Sequence, residues 1–245
     1  MRTVLINASP KRRFSASSYF LALQRLFLRG NAVSEKLRSK KDYNRILNEL
    51  GDTDAVVFCL PLYVDGVPSH VLLFLKEMEN FCRRNAIRPD VYCIANNGFI
   101  EGKQNEPLMQ VFRNFSARSE LNWCGGIGIG GGVMLSITRI LFAVNAAVFC
   151  FNMIWNGIQN GTLTDAGTWR GFLLGAGILV FLNLGVLIDI FRMGRAMNKG
   201  DGHYFGEKYT RILLHSFFFI LIEDIYFTVA SVFGGGIFRG WLLRK

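Results

Sequence analysis

The sequence predicts a doubly wound α/β domain, a five-stranded parallel sheet covered by helices on both faces, followed by a helical transmembrane hairpin and a C-terminal helix. Three observations carry this. Apolar runs of strand length, Thr3-Val4-Leu5-Ile6, Ala55-Val56-Val57-Phe58-Cys59-Leu60 and Val91-Tyr92-Cys93-Ile94-Ala95, alternate with helical patterns. Strands buried on both faces of a parallel sheet have that look. A further run, Gly125 to Gly131, is rich in glycine and supplies the fifth strand. Beyond residue 132 the only carboxylates are Asp165, Asp189, Asp201, Glu207, Glu223 and Asp224, set in long apolar stretches. The expected divisions are 1–132 for the α/β domain, 133–192 for the hairpin, and 193–245 for a basic segment with a helix lying at the membrane interface or docked on the sheet.

In chain order, the first strand feeds into Asn7 to Ser18, where Pro10 ends it because proline cannot donate to a ladder. Ser15, Ser17 and Ser18 precede a helical pattern running from Tyr19 to Leu28, closed by Gly30 and Asn31. Hydroxyls and free amides at a helix N-terminus stabilise an anion, and a phosphate is the natural occupant. The same serines also serve as a plain helix cap. The stretch is neither a Walker loop nor a G-x-G-x-x-G fingerprint. Ala32 to Leu37 reads as a polar edge strand, and Asp42 to Leu50 as a short helix stopped by Gly51. After the strand ending at Leu60 comes a loop, Pro61 to Pro68, then a helix to about Arg84. The strand from Val91 ends in Asn96-Asn97-Gly98-Phe99, and a helix over Pro107 to Glu120 leads to the glycine-rich strand.

In doubly wound sheets a ligand sits beyond the carboxyl ends of the strands. Three loops fall at that edge: the serine loop, the loop with Tyr63 and Gly66, and the loop with Asn96, Asn97 and Gly98. A phosphate site beside an aromatic and a glycine turn suits a flat ring attached to a phosphate. Tyr63 either stacks on such a ring or packs at the strand end. Lys11, Arg12 and Arg13 read as a solvated face rather than a clamp for a nicotinamide phosphate, and His70, His203 and His215 take surface or packing roles.

Residues 3–18, Pro61-Leu-Tyr-Val-Asp-Gly-Val-Pro68 and Asn97-Gly-Phe-Ile-Glu-Gly102 resemble, in order and spacing, the three cofactor loops of the flavodoxin-like NAD(P)H-dependent FMN reductases. The resemblance covers residues 1–132. It implies FMN, with NADH or NADPH as co-substrate. It implies a phosphate held by Ser9, Lys11, Ser15, Ala16, Ser17 and Ser18. Pro61, Leu62, Tyr63, Val64 and Gly66 would lie along the isoalloxazine ring, with Asn96, Asn97, Gly98 and Phe99 on its other edge. No side chain is assigned a catalytic role and no metal site is expected. The family's habit also implies a homodimer. Many members carry S-P-R-K followed by Asn or Gly where this chain has Lys11-Arg12-Arg13-Phe14, and the cysteine cluster of iron–sulfur flavoproteins is absent.

Met134 to Trp155 and Gly171 to Phe191 are each long enough to cross a bilayer, which takes about 20 residues. Trp155 and Trp169 stand at the boundaries of the uncharged connection between them, while Arg192, Arg195, Lys199, Lys208 and Arg211 follow the second stretch. That asymmetry puts both ends and the α/β domain in the cytosol, with Arg139 snorkelling inward. Ile212 to Phe233 carries Glu223 and Asp224 at its middle, which disfavours a third span. The net charge of +10 suggests nucleic acid only superficially, since the basic residues are scattered and no nucleic-acid module appears. Five cysteines without C-x-x-C spacing read as reduced thiols.

The expected function is a membrane-anchored flavoprotein oxidoreductase passing hydride from NAD(P)H to FMN and then to a small-molecule acceptor, a quinone in the narrower form. Two alternatives stand beside it. One is a flavodoxin-type electron carrier for a membrane complex, the other a flavin-less interaction protein.

Overall fold

The computed structural model describes residues 1–11, 15–63, 66–132, 134–163, 165–200, 202–214 and 216–233. Arg12, Arg13, Phe14, Val64, Asp65 and His215, singled out in the sequence, lie outside the described residues. The chain divides into two compact units, Met1–Ile212 and Leu213–Lys245.

In the first unit, strand β1 (Arg2–Asn7) leads to helix α1 (Ala16–Leu26), and β2 (Asn31–Lys36) to α2 (Tyr43–Leu50). Strand β3 (Ala55–Pro61) leads to α3 (Ser69–Asn85), and β4 (Asp90–Asn96) to α4 (Glu106–Arg118) and β5 (Asn122–Gly130). Every strand pair is parallel, in the order β2-β1-β3-β4-β5 with one further strand beyond β5. That order is the flavodoxin-like form of the doubly wound fold, whose switch point lies between β1 and β3.

The alternation of side chains along each strand divides the core into two layers. Val4, Ile6, Val56, Phe58, Leu60, Val91 and Cys93 meet Ile46, Phe74, Met78, Met109 and Phe112 from α2, α3 and α4. The intervening Leu5, Val57, Cys59 and Ile94 are equally buried and point to the opposite face, where Phe20 and Leu21 of α1 are buried. Each such apolar side chain contributes about 1.5–3 kcal/mol on burial, which is why these runs carry no charge.

Three features differ from the sequence expectation. First, the sheet has six strands, not five: β6 (Gly206–Arg211) lies in the segment read as merely basic, and pairs with β5 from Gly125↔Gly206 to Gly130↔Arg211. Its charges hid it, yet charged side chains are what protect an outermost strand from pairing with another chain. Second, the stretch Gly171 to Phe191 is not one straight helix. It divides at Asn183 into α6 (Ala166–Leu182) and α7 (Leu184–Met197), bent by 63°. Third, α7 is the helix that covers the sheet beside α1. Val186, Ile190, Met193 and Met197 are buried in α7, and Phe191 meets Phe27 edge-on at 5.3 Å between ring centres. Asn198 fastens the pair, donating to the Phe27 carbonyl and accepting from the Arg29 amide, both at 2.7 Å. Asp189, Arg192 and Arg195 on α7 would each cost roughly 2.5–3.5 kcal/mol at the centre of a bilayer, so this half of the run belongs on the sheet.

Between β5 and α7 the chain makes an antiparallel hairpin of α5 (Met134–Asn160) and α6. Within α5, Ile137–Asn160 is long and apolar enough to cross a membrane, and none of it is buried. Large apolar side chains, among them Ile140, Phe151, Ile154, Leu173, Ile178 and Phe181, are more than half exposed along both helices. In the second unit, α8 (Ser216–Phe233) carries Glu223 and Asp224 near its middle.

Candidate functional site

The three loops flagged by composition come together at the carboxyl edge of the sheet, and one buried side chain ties them. Asn96, the last residue of β4, donates from Nδ2 to Ser17 Oγ at 3.2 Å and to the Leu60 carbonyl at 3.0 Å. It therefore joins the third loop to the first and the second. The Asn96 carbonyl also accepts from the Leu62 amide at 2.7 Å.

In the first loop the cap reading of the serine cluster is realised. Ser15 caps α1: its Oγ accepts from the Ser18 amide at 3.1 Å, and Ser18 Oγ accepts in return from the Ser15 amide at 3.2 Å. The capping leaves the amides of Ala16 and Ser17 without an intrahelical acceptor, so they remain available to an anion. Ser9 is buried, with its amide on Asn7 Oδ1 at 3.1 Å and its Oγ accepting from the Lys11 amide at 3.4 Å. Ser17 Oγ is turned inward to Asn96 and to the Cys59 thiol, so Ser17 offers its amide rather than its hydroxyl to a ligand. Burial pushes the Cys59 thiol far up, with the Ser17 contact only partly offsetting it, and the sulfur stays protonated and inert. Lys11 is exposed, and its carbonyl accepts from Arg38 Nη2 at 3.0 Å.

In the second loop Pro61 closes β3 opposite Asn96. Tyr63 and Gly66 exchange two backbone hydrogen bonds, 3.1 and 2.9 Å, and Tyr63 is 43% exposed. Val64 is outside the described residues. In the third loop the Asn97 amide donates to the Ile129 carbonyl at 3.1 Å and Nδ2 to the Glu101 carbonyl at 3.0 Å. Asn97 Oδ1 is buried and has no partner among the described residues. Gly98 and Phe99 are exposed at the rim, Phe99 by 58%. The Phe99 carbonyl accepts from the Gly131 amide at 2.6 Å, which pins this loop to the exit of β5.

The glycines of β5 allow the short 3₁₀ turn Gly102–Asn105 to lie directly on the strand. A Cβ on Gly128 would stand 2.6 Å from the Tyr209 ring and 2.8 Å from the Gly102 carbonyl. The glycine run thus answers to close packing behind the third loop.

One residue set aside in the sequence takes a place in the site. The His70 ring, in the first turn of α3, lies 3.1 Å from the Ala8 carbonyl, immediately before Ser9, and the Tyr43 hydroxyl donates to the His70 carbonyl at 3.2 Å. His70 fastens the helix after the second loop to the first loop. No spacing in the sequence announces a contact 62 residues apart.

The roots of the apolar hairpin lie at this same edge. Helix α5 begins four residues past the end of β5, and the start of α7 stands at the far end of β6, where Gly185 approaches the Thr210 hydroxyl. Ile212, where the first unit ends, directly follows β6 at that edge.

No protein-family model and no curated protein sequence matches the chain. Among solved structures it is similar to the Trp repressor binding protein from Bacillus subtilis, at 18% identity over 51% of this chain and 85% of that one, with a TM-score of 0.42. An NADPH-quinone reductase from P. pentosaceus is 14% identical over 73% of this chain and 98% of its own, with a TM-score of 0.46. General stress protein 14 from Treponema denticola, solved in complex with FMN, is 12% identical over 51% of this chain and 84% of its own, with a TM-score of 0.43.

Proposed function

We propose that this chain is a membrane-anchored flavoprotein oxidoreductase that holds FMN at the carboxyl edge of its sheet, takes hydride from NADH or NADPH and delivers electrons to a small-molecule acceptor. The observation that carries the reading is the joining of the three loops by the buried Asn96 amide at the carboxyl edge of the sheet.

The residues fit the cofactor. The amides of Ala16 and Ser17 at the α1 N-terminus, with the Ser9 hydroxyl, form a donor set for a phosphate at the positive end of a helix dipole, the Ser15 and Ser18 hydroxyls being spent on each other and on the Ser15 carbonyl in the cap. Asn97 Oδ1, a buried acceptor without a donor, is the group that a ring N–H satisfies. Tyr63 and Phe99 are large aromatics left exposed on the second and third loops, and an aromatic ring covers a flat ligand by stacking. When bound, FMN supplies the hydride-accepting chemistry itself. The protein's part is to hold and orient the ring, to shed water from its faces through Tyr63 and Phe99, and to place backbone N–H groups of the second and third loops toward charge that develops at its polar edge. No side chain is required as an acid or base.

The hairpin supplies the anchor. Helix α5, about 40 Å long at 27 residues, exceeds the hydrocarbon thickness of about 30 Å. Its connection to α6 is polar, and Trp155 and Trp169 stand near the ends as interfacial anchors do. Because both roots of the hairpin are at the site edge, the cofactor site faces the cytoplasmic membrane surface, and an amphiphilic acceptor of the quinone class reaches it from the lipid.

The test is anaerobic. Protein purified in detergent, supplied with FMN and then NADH or NADPH, reduces a water-soluble and a membrane-soluble quinone. FMN binding without nicotinamide oxidation favours a carrier instead. Ready turnover with soluble acceptors and none with any quinone removes the narrower assignment.

A further inference from the structure

At the neck of the hairpin, a cavity of about 320 Å³ opens between the first turn of α1, the second and third turns of α5, the last two turns of α6 and the start of α7. Its lining combines an apolar wall, Phe142, Leu179 and Val180, with four polar side chains, Tyr19, Arg139, Asn183 and Thr138, whose hydroxyl is spent on the Met134 carbonyl. Two of these are unfinished. Arg139 has no carboxylate partner among the described residues, and its guanidinium rests over the Tyr19 ring at 5.3 Å. Asn183 is 8% exposed; its Nδ2 donates to the Leu179 carbonyl at 2.8 Å, but its Oδ1 has no partner among the described residues. A buried acceptor without a donor is unfavourable unless a ligand supplies one.

We infer that this cavity is a binding site for one phospholipid headgroup, with the phosphodiester on Arg139, a headgroup hydroxyl donating to Asn183 Oδ1, and the start of the acyl chains along Phe142, Leu179 and Val180. The inference rests on the hairpin entering a bilayer, as proposed above. The depth is right: Arg139 is the third residue of the apolar segment Ile137–Asn160, and Asn183 directly follows α6, so both stand where the hairpin leaves the sheet. The apolar wall commits the site to a lipid, since a free phosphate gains nothing from it. The orphaned Oδ1 selects the headgroup, because glycerol hydroxyls donate and a choline cannot. Tyr19 follows the capping serines of the first loop by one residue, so the lipid site and the cofactor site share the N-terminal turn of α1.

The test uses the full-length protein in detergent, with retained lipid counted by native mass spectrometry during titration with dioleoylphosphatidylglycerol or dioleoylphosphatidylcholine. One phosphatidylglycerol is expected to be retained in preference to phosphatidylcholine. Arg139→Gln, and Ala176→Leu, which fills the cavity without removing a polar group, each weaken retention about tenfold, and Arg139→Lys restores part of it. Equal retention by wild type and both variants, equal retention of the two lipids, or displacement by glycerol 3-phosphate overturns the assignment. Alkaline carbonate extraction of wild-type membranes separates the two readings. Release of the protein removes the membrane hairpin, whereas failure of the titration with the protein still embedded removes only the lipid site.

Discussion

At the scale of single residues, Asn96 and Asn97 are adjacent asparagines with opposite duties. Asn96 spends its amide inside the protein, on Ser17 and Leu60, so Asn96→Ala strands buried partners and costs about 2 kcal/mol of stability in urea unfolding, with weaker FMN binding as a consequence. Asn97 keeps a buried oxygen unpaired, so Asn97→Leu changes stability by less than about 1 kcal/mol, the lost bond to Glu101 being offset by removal of the orphan. FMN affinity, read by quenching of flavin fluorescence, falls about tenfold in that variant. A site that did not hold the ring would show no such separation between the two variants. The sequence displayed both asparagines as a loop composition. What it could not display was the bond from Asn96 to Ser17 across 79 residues, because that depends on β4 lying two strands from β1.

At the scale of elements, the strands buried on both faces were legible because an unbroken run of four to six mostly apolar residues between helical patterns has few other uses. Strand β6 was not, since Glu207, Lys208 and Arg211 break its pattern as an edge strand requires. Its attachment is electrostatic as well as backbone. Glu207 Oε1 accepts from Arg113 Nε at 3.1 Å and Trp123 Nε1 at 3.2 Å, and Oε2 from the Tyr209 hydroxyl at 3.0 Å. Burial works against the charged carboxylate, but these donors outweigh it and hold its pKa below the ordinary 4.5. A depressed carboxyl contributes stability that is fully present above the unfolded value and is lost as pH falls through the folded one. Glu207→Gln therefore unfolds more easily at pH 7, by about 1.5–3 kcal/mol, and the gap from wild type closes in acid. Thermal melts at pH 7 and in mild acid check it; a pH-independent gap contradicts the carboxylate's role. The division at Asn183 was hidden for a different reason. One polar residue in a long apolar run looks like a tolerated blemish, and only the packing of Val186, Ile190 and Met193 against the sheet reveals where the hairpin ends.

At the scale of the whole molecule, the hairpin is an insertion into a domain whose sheet is complete without it, since α7 and β6 close the face and the edge. Replacing residues 137–181 by a short glycine-serine linker is expected to leave a protein that no longer sediments with membranes yet still binds FMN. A variant that stays membrane-bound would move the anchor elsewhere, to the second unit. The insertion also explains the orientation. With the hairpin in a bilayer as proposed, chain exits at the carboxyl edge of the sheet would put the three loops against the lipid surface, and the excess of positive charge, +10 overall, would favour an anionic leaflet.

The most direct measurement is the visible absorption spectrum of the detergent-purified protein, taken anaerobically before and after adding NADH and NADPH. The predicted result is the yellow flavin band, present on purification or after adding FMN, and bleached by at least one of the two nucleotides. A protein that carries no flavin and does not take up added FMN contradicts the account at its centre.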